Sequence, residues 1–267
     1  MDKFSVLISV YVNDSHKHFD RAIESIWFDQ LLRPNEVILI VDGPVGRGTT
    51  NKLLKWKKIL GDKLKVLRNK NNEGLAVSLN TGLRHCSNEL IMRMDADDIS
   101  MPERFRDQVK FMVSNPSVSV LSSDIILFDD EGYSSLRSLP RTNAEIRNYA
   151  KFRNPIHHPC VCFRKSVIMK FGGYPLFRTS QDYALWSRLL VEDVRFSNSP
   201  NVHLRMRGGS NLIKRRGLKY FRGELKILKY QHKIGFITTK RYIINVFIRF
   251  SIRIMPPIIK KIIYTGR

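Results

Sequence analysis

Two short apolar runs, residues 4–12 (FSVLISVYV) and 36–41 (EVILIV), are rich in β-branched side chains and read as buried strands. Between them Phe19, Ala22, Ile23, Ile26 and Trp27 recur at helical spacing, which predicts a helix within 19–31. A strand, a helix and a strand in so short a span imply parallel strands, because the crossover helix returns the chain to the same edge of the sheet. Further strands are predicted at 64–67 and 89–94, with a helix over 75–85 between them. Runs that are apolar on both faces belong to parallel sheets covered by helices on each side. The expected class is therefore α/β with a mostly parallel central sheet. After Met101-Pro102-Glu103 the pattern predicts a helix to about residue 114, short strands at 118–122 and 125–128, and an amphipathic helix at 181–190.

Open parallel sheets bind ligands beyond the carboxyl ends of their strands. Three polar stretches stand at such ends: Tyr11-Val12-Asn13, Asp42-Gly43 and Asp95-Ala96-Asp97-Asp98. The last puts three carboxylates into four positions, where they repel one another unless something positive lies between them. Carboxylates at i and i+2 on a turn can converge on one hard cation such as Mg²⁺ or Mn²⁺. Asp-x-Asp alone is also common in solvated turns. Its place after a strong strand is what points to metal.

The charge is lopsided. The chain of 267 residues carries 46 Lys plus Arg against 24 Asp plus Glu, a net of +22. From residue 214 onward there are fifteen Lys or Arg and one acid, Glu224. This divides the chain into a catalytic domain at 1–208 and a basic amphipathic C-terminal segment at 209–267. Such an excess suggests a partner with a negative surface. Arg241, Asn245, Arg249 and Arg253 recur every four residues, and Ile243, Ile244, Val246, Phe247, Phe250 and Ile254 cover the rest of that helix. The pattern predicts an interfacial helix with its cations on anionic head groups, and 258–263 (IIKKII) repeats the theme. A helix packed on the catalytic domain is the alternative. No uninterrupted apolar run reaches the roughly twenty residues a spanning helix needs. Nucleic acid is not the expected partner, because the basic residues alternate with aliphatics rather than stacking aromatics. The odd number of cysteines, Cys86, Cys160 and Cys162, fits a reducing compartment, and residues 157–162 (HHPCVC) are too compressed for a four-ligand zinc site. The N-terminal run lacks an Ala-x-Ala cleavage site, so no signal peptide is expected.

Five motifs in order now make the chain resemble a family 2 glycosyltransferase of the GT-A fold, the kind that builds bacterial surface polysaccharides. They are SVLISVYVND, VILIVDGP, NNEGLAVSLNTGL, MRMDADD, and GGY followed by QDYALWSRL, and the likeness spans about residues 4–207. The resemblance implies a nucleotide-binding set of Val10, Tyr11, Asn13, Asp42, Gly74, Asn80 and Asp95, with Asp42 hydrogen-bonding the base. It implies Mn²⁺ or Mg²⁺ on Asp97, with Asp95 facing the ribose or the metal's waters, and Asp98 either supporting them or simply polar. Asp182 is the implied catalytic base of an inverting transfer. Its seat at a helix N-terminus should favour the ionised form, and Glu192 and Asp193 at the far end of that helix are read as surface groups. His158 is a phosphate or acceptor contact or else a packed histidine. Trp186 is an acceptor-sugar contact or core, and Arg205 and Arg207 are diphosphate contacts or solvated. The departures are Leu79 where many members carry Arg, a single carboxylate at Asp42-Gly43-Pro44, and Gln181 before the base. A sugar nucleotidyltransferase is disfavoured because residues 9–15 (SVYVNDS) hold neither Gly nor a basic residue. The partners implied are a nucleotide-sugar donor, expected to be a UDP-sugar, a lipid-linked saccharide acceptor in O-antigen, capsule or exopolysaccharide synthesis, and an anionic membrane surface. The expected location is cytoplasmic, on the inner face of the plasma membrane.

Overall fold

The first four strands run side by side in one direction, as their doubly apolar pattern requires. In the computed structural model, which describes residues 3–208 and 218–255, these are β1 (Phe4–Tyr11), β2 (Glu36–Asp42), β3 (Leu64–Asn69) and β4 (Leu90–Asp95). They are parallel in the order β3-β2-β1-β4. The crossovers are α1 (His16–Trp27), α2 (Arg47–Leu60) and α3 (Leu75–His85). Alternate residues of β1 feed the two faces of the sheet. Val6, Ile8 and Val10 pack with Phe19, Ile23 and Ile26 of α1, and Leu7 packs with Leu79 and Leu83 of α3. All of these side chains are buried. Each contributes roughly 1.5–3 kcal/mol relative to exposure, which offsets the ordering of the chain and sets the strand ends in register.

The sheet then changes character. After β5 (Ile99–Ser100) and α4 (Arg104–Ser114) come β6 (Val118–Phe128), β7 (Ser134–Arg137), α5 (Asn143–Ala150), β8 (Cys162–Arg164), α6 (Lys165–Lys170), α7 (Gln181–Val191) and β9 (Arg195–Arg207). Strand β8 is antiparallel between β4 and β6, and the long β6–β9 pair is parallel. The two short strands expected at 118–122 and 125–128 are one strand, β6, whose pairing with β9 shifts register at Ser123 and Asp124. Polar Ser122, Ser123 and Asp124 interrupt the apolar pattern there without ending the strand, because they are buried with partners of their own: Asp124 accepts both Arg141 Nη1 and Nη2, at 2.6 and 2.7 Å. The three cysteines are buried and free.

Two further helices, α8 (Leu218–Lys233) and α9 (Thr239–Ile254), lie against the rest. Ile227 and Tyr230 of α8 pack on Phe177, Tyr183 and Ala184, and Gln231 donates to Ser187 Oγ at 2.7 Å. The expectation that the polar stripe of α9 faces head groups is corrected here. Arg253 and Arg249 pair with buried Glu224, Asn245 donates to the Lys151 carbonyl at 2.8 Å, and Arg241 lies 4.2 Å over the Phe152 ring. An acid and free carbonyls on the protein side attract the stripe inward. The 258–263 repeat lies outside the described residues. Among the described residues no helix is long and apolar enough to cross a membrane.

Candidate active site

The carboxyl ends of β1, β2 and β4 open onto one cavity of about 320 Å³. Its walls include Ser9, Tyr11, Asp14, Asp42, Asn72, Gly74, Asp95, Asp97 and Arg178. Asp42, the last residue of β2, is nearly buried and richly solvated by the protein itself. Its Oδ1 accepts Asn69 Nδ2 and the Glu73 N–H at 2.8 and 2.9 Å, and its Oδ2 accepts the Gly74 N–H at 2.9 Å. This fastens the start of α3 to the end of β2. Gly43 follows with φ +85°, and a Cβ there would stand 2.7 Å from the Asn72 nitrogen, so the turn needs glycine.

The end of β4 is the reverse case. Oxygen atoms of Asp95, Asp97 and Asp98 all lie within 4.8 Å of one another. Burial, then repulsion from Asp95, pushes the Asp97 carboxyl up to about 6. Burial and the same two neighbours hold Asp98 well above the usual carboxylate range. Asp98 accepts the Arg207 N–H at 2.8 Å through Oδ1, while its buried Oδ2 has no partner. Asp14 on the β1–α1 loop accepts the Tyr11 N–H at 2.9 Å, and burial pushes it up to about 7, with Asp97 and Asp95 adding to the effect. Arg178 is the sole basic residue among the described cavity-lining residues. A compact set of crowded carboxylate oxygens fits a hard divalent cation, which Asp95 and Asp97 would hold. Behind them Arg93 is 2% exposed and pairs with Asp95, its Nε and Nη1 unpartnered.

Asp182 is the second residue of α7 and is half-buried. Its Oδ2 accepts Asn154 Nδ2 at 2.6 Å. Burial raises its pKa, against the pull of the Tyr183 N–H, Asn154 and Arg93. The expectation that the helix end would favour its ionised form is thus outweighed by desolvation. A carboxylate raised in this way is a stronger proton acceptor. Arg93 pairs with Asp95, and its charge also favours the ionised form of Asp182. Asp182 is not the helix cap, a position held by Ser180 in the left-handed region. Glu192 and Asp193 stand at the other end of α7, and Asp193 pairs with Arg147.

Several residues named from sequence stand elsewhere. Val10 is a core side chain and Asn13 is exposed, and neither is among the residues that line the cavity. Asn80 is corrected from nucleotide contact to tether: its Nδ2 donates to the Tyr174 carbonyl at 2.8 Å and its Oδ1 accepts the Tyr174 N–H at 2.7 Å. A Cβ at Gly173 would collide with that side chain. Of its two alternatives His158 takes the packed one, buried with Nε2 2.9 Å from the Tyr174 hydroxyl, and burial holds it well below its usual pKa. Of its two alternatives Trp186 takes the core one, fully buried edge-on to His158, Tyr174 and Phe196, and so presents no face to a sugar. Arg205 and Arg207 lie 4.5 and 4.7 Å over the Phe128 ring. Arg207 also pairs with Asp130 and donates to the Asp97 carbonyl at 3.1 Å, so it braces the acidic turn from behind.

Asp14, Asn72, Arg178, Arg93 and Asn154 were not singled out from sequence. Arg93 had a signal, as the one charge inside the apolar run of β4. Asn154 had none, since 28 residues separate it from Asp182.

Residues 5–172 match the family described as glycosyl transferase family 2. The chain is 34% identical over 265 residues to the amylovoran biosynthesis glycosyltransferase AmsE of Erwinia amylovora, covering 98% of this chain and 97% of the relative. It is also 34% identical to the UDP-Gal:alpha-D-GlcNAc-diphosphoundecaprenol beta-1,3-galactosyltransferase of Escherichia coli, covering 98% and 95%. Among solved structures, S. aureus TarS in complex with UDP aligns with a TM-score of 0.65 at 17% identity, over 87% of this chain and 65% of that one. The mannosyltransferase PcManGT of Pyrobaculum calidifontis, in complex with GDP-Man and Mn2+, aligns with a TM-score of 0.67 at 16% identity, over 92% and 68%.

Proposed function

The chain belongs to glycosyl transferase family 2 and is a glycosyltransferase with the GT-A fold, and on that premise we propose an inverting, metal-dependent transfer from a UDP-sugar to a lipid-linked saccharide. The observation that carries this reading is the shared cavity in which Asp42 stands opposite Asp95 and Asp97. The acceptor class and a place in surface-polysaccharide synthesis are suggested by relatives whose names specify amylovoran and a diphosphoundecaprenol-linked sugar, matched over nearly their whole length. A lipid-linked acceptor supports our reading of a peripheral enzyme that works at the inner face of the membrane, with an anionic lipid surface rather than nucleic acid as its partner.

The base stacks on the β1 side of the cavity near Tyr11, with Asp42 and the backbone of Gly74 at its polar edge. The diphosphate runs toward the acidic turn. Arg178, which lines the same cavity, would supply the positive charge that Leu79, a buried core residue, does not. A divalent ion on Asp95 and Asp97 would neutralise charge on the departing diphosphate. Asp182, held by Asn154, takes the proton of the acceptor hydroxyl as that oxygen bonds to the sugar's anomeric carbon. The bond to the diphosphate breaks on the opposite face, and UDP leaves with its electron pair.

The test pairs a nucleotide-sugar screen with Asp182→Asn. The wild type should release UDP from a UDP-sugar in the presence of Mn²⁺ or Mg²⁺. The variant should lose transfer by roughly a hundredfold or more while binding UDP with unchanged affinity by calorimetry. Equal loss of nucleotide binding would move Asp182 to the donor side and sink the assignment.

A further inference from the structure

We infer that α9 docks the enzyme on an anionic bilayer through its apolar face, centred on Phe247, while its arginine stripe serves the protein side. The inference rests on the proposed lipid-linked acceptor and deepens it. Sequence periodicity puts the arginines of α9 in the head groups, but Arg249 and Arg253 are held by Glu224, Arg249 also by the Phe152 carbonyl, and Arg241 lies over the Phe152 ring. What α9 presents outward is hydrocarbon. Ile243 is 61% exposed and Phe247 70%, with Ile244, Ile248 and Phe250 exposed beside them. Residues 243, 247 and 250 follow helical i, i+4, i+7 spacing and form one ridge, and 244 and 248 form the next. Beside the ridge runs an almost purely apolar groove of about 390 Å³, closed on the far side by Phe221 and Leu225 of α8.

The charge around this face selects the occupant. Arg222, Lys226, Lys229, Lys233 and Lys240 are exposed on the same two helices. Their single acid, Glu224, is buried in ion pairs. The exposed charge of the described part of this hairpin is therefore of one sign. A second copy is disfavoured, because a two-fold contact would set each cationic rim against itself. An anionic bilayer accepts both features at once: acyl chains take the ridge and head groups take the lysines.

Docking would also orient the chemistry. Helix α8 packs on α7, and Arg249 reaches from α9 to within 5.9 Å of the Tyr183 ring, next to Asp182. The helix that meets lipid is thus fastened to the helix that carries the base, which sets the height of Asp182 above a membrane-embedded acceptor.

The experiment is co-sedimentation of the full chain with vesicles of phosphatidylethanolamine and phosphatidylglycerol, and with phosphatidylcholine alone. Wild type should bind the anionic vesicles, and high salt should weaken binding only in part. Ile243→Glu with Phe247→Glu should lower the partition coefficient by roughly tenfold or more, leaving thermal stability and metal-dependent UDP release from the donor intact. As a second measurement, a polarity-sensitive fluorophore on Phe247→Cys should shift to the blue when anionic vesicles are added; the native cysteines are buried and spare it competition. A probe already blue-shifted without vesicles would mean that residues 256–267 or a second copy cover the face, and would overturn the inference. So would wild type left in the supernatant, or equal binding by the double variant. Loss of UDP release in the wild type would instead fail the enzymatic reading and leave the vesicle result to stand by itself.

Discussion

Strands β2 and β4 flank β1, run parallel to it and end in aspartates at the same cavity, yet the two ends are built on opposite plans. At the end of β2 the protein supplies three donors to Asp42: an asparagine side chain and two backbone N–H groups. At the end of β4 it crowds Asp97 and Asp98 against Asp95 and gives them little to neutralise their charge. Arg93 is spent on Asp95, and Arg207 offers Asp98 a backbone N–H. The first plan makes a fixed recognition point that belongs to the fold. The second stores repulsion that a bound cation can relieve. The same residue type in the same position therefore stabilises the protein in one place and is held there at a cost to it in the other.

The sharpest way to break this contrast is to remove one charge at each end. Asp97→Asn should lower turnover by roughly a hundredfold or more, since a metal contact is worth several kcal/mol to the leaving diphosphate. Its metal-free melting temperature should equal or exceed that of the wild type, because a repelling charge is gone. Steady-state kinetics and calorimetric melting of one preparation would decide it. A large fall in melting temperature would show that Asp97, like Asp42, is part of the scaffold.

Asp42→Ala should go the other way on stability. It strands the Glu73 and Gly74 N–H groups and the Asn69 amide. An orphaned buried donor costs about 1–3 kcal/mol, so urea denaturation should show a loss of that order together with weaker UDP binding. Unchanged stability would mean that the start of α3 is held by something other than Asp42.

The smallest effect is the pH dependence. Asp97 at about 6 and Asp14 at about 7 both lie above the ordinary 3.8. The metal-free folded protein therefore binds these protons more tightly than the unfolded chain. Their contribution to stability is complete below 3.8 and is lost as pH rises through about 6 to 7. Buried His157 and His158, held low by desolvation, act in the opposite sense as pH falls. Subtracting a variant isolates the carboxylate. The stability advantage of Asp97→Asn over wild type should grow between about pH 5 and pH 8, and Mn²⁺ should remove it at the upper end. A difference that stays flat with pH would put Asp97 in solvent.

The sequence made the donor half of this contrast visible and hid most of the rest. Parallel strands and their ends follow from local pattern, so β1, β2 and β4 and all three polar ends are legible in the sequence alone. What depends on contacts far along the chain could not. Asn80 and Trp186 sit in motifs that the resemblance singled out, but Asn80 turns to the Tyr174 backbone and Trp186 to the core. Helices α2 and α5 and strands β7 and β8 are short or weakly patterned and owe their place to what they pack against. On α9 the four-residue period was read correctly and its direction was not. Periodicity separates a helix into two faces without saying which one meets the protein. A buried glutamate, 29 residues from Arg253 in the chain, decides it.

Asn80 grips the main chain of Tyr174 across 94 residues, and it fits only because position 173 carries no side chain. That imposes a rule of descent. An alanine at 173 collides with Asn80 and, at φ +72°, is strained even beside a shorter residue 80, while a shortened residue 80 leaves both backbone polar groups of Tyr174 without their partner. Either step alone is unfavourable. Along the ancestry of this chain glycine at 173 and asparagine at 80 are expected to persist as a pair, and a chimera that replaces either one should lose stability.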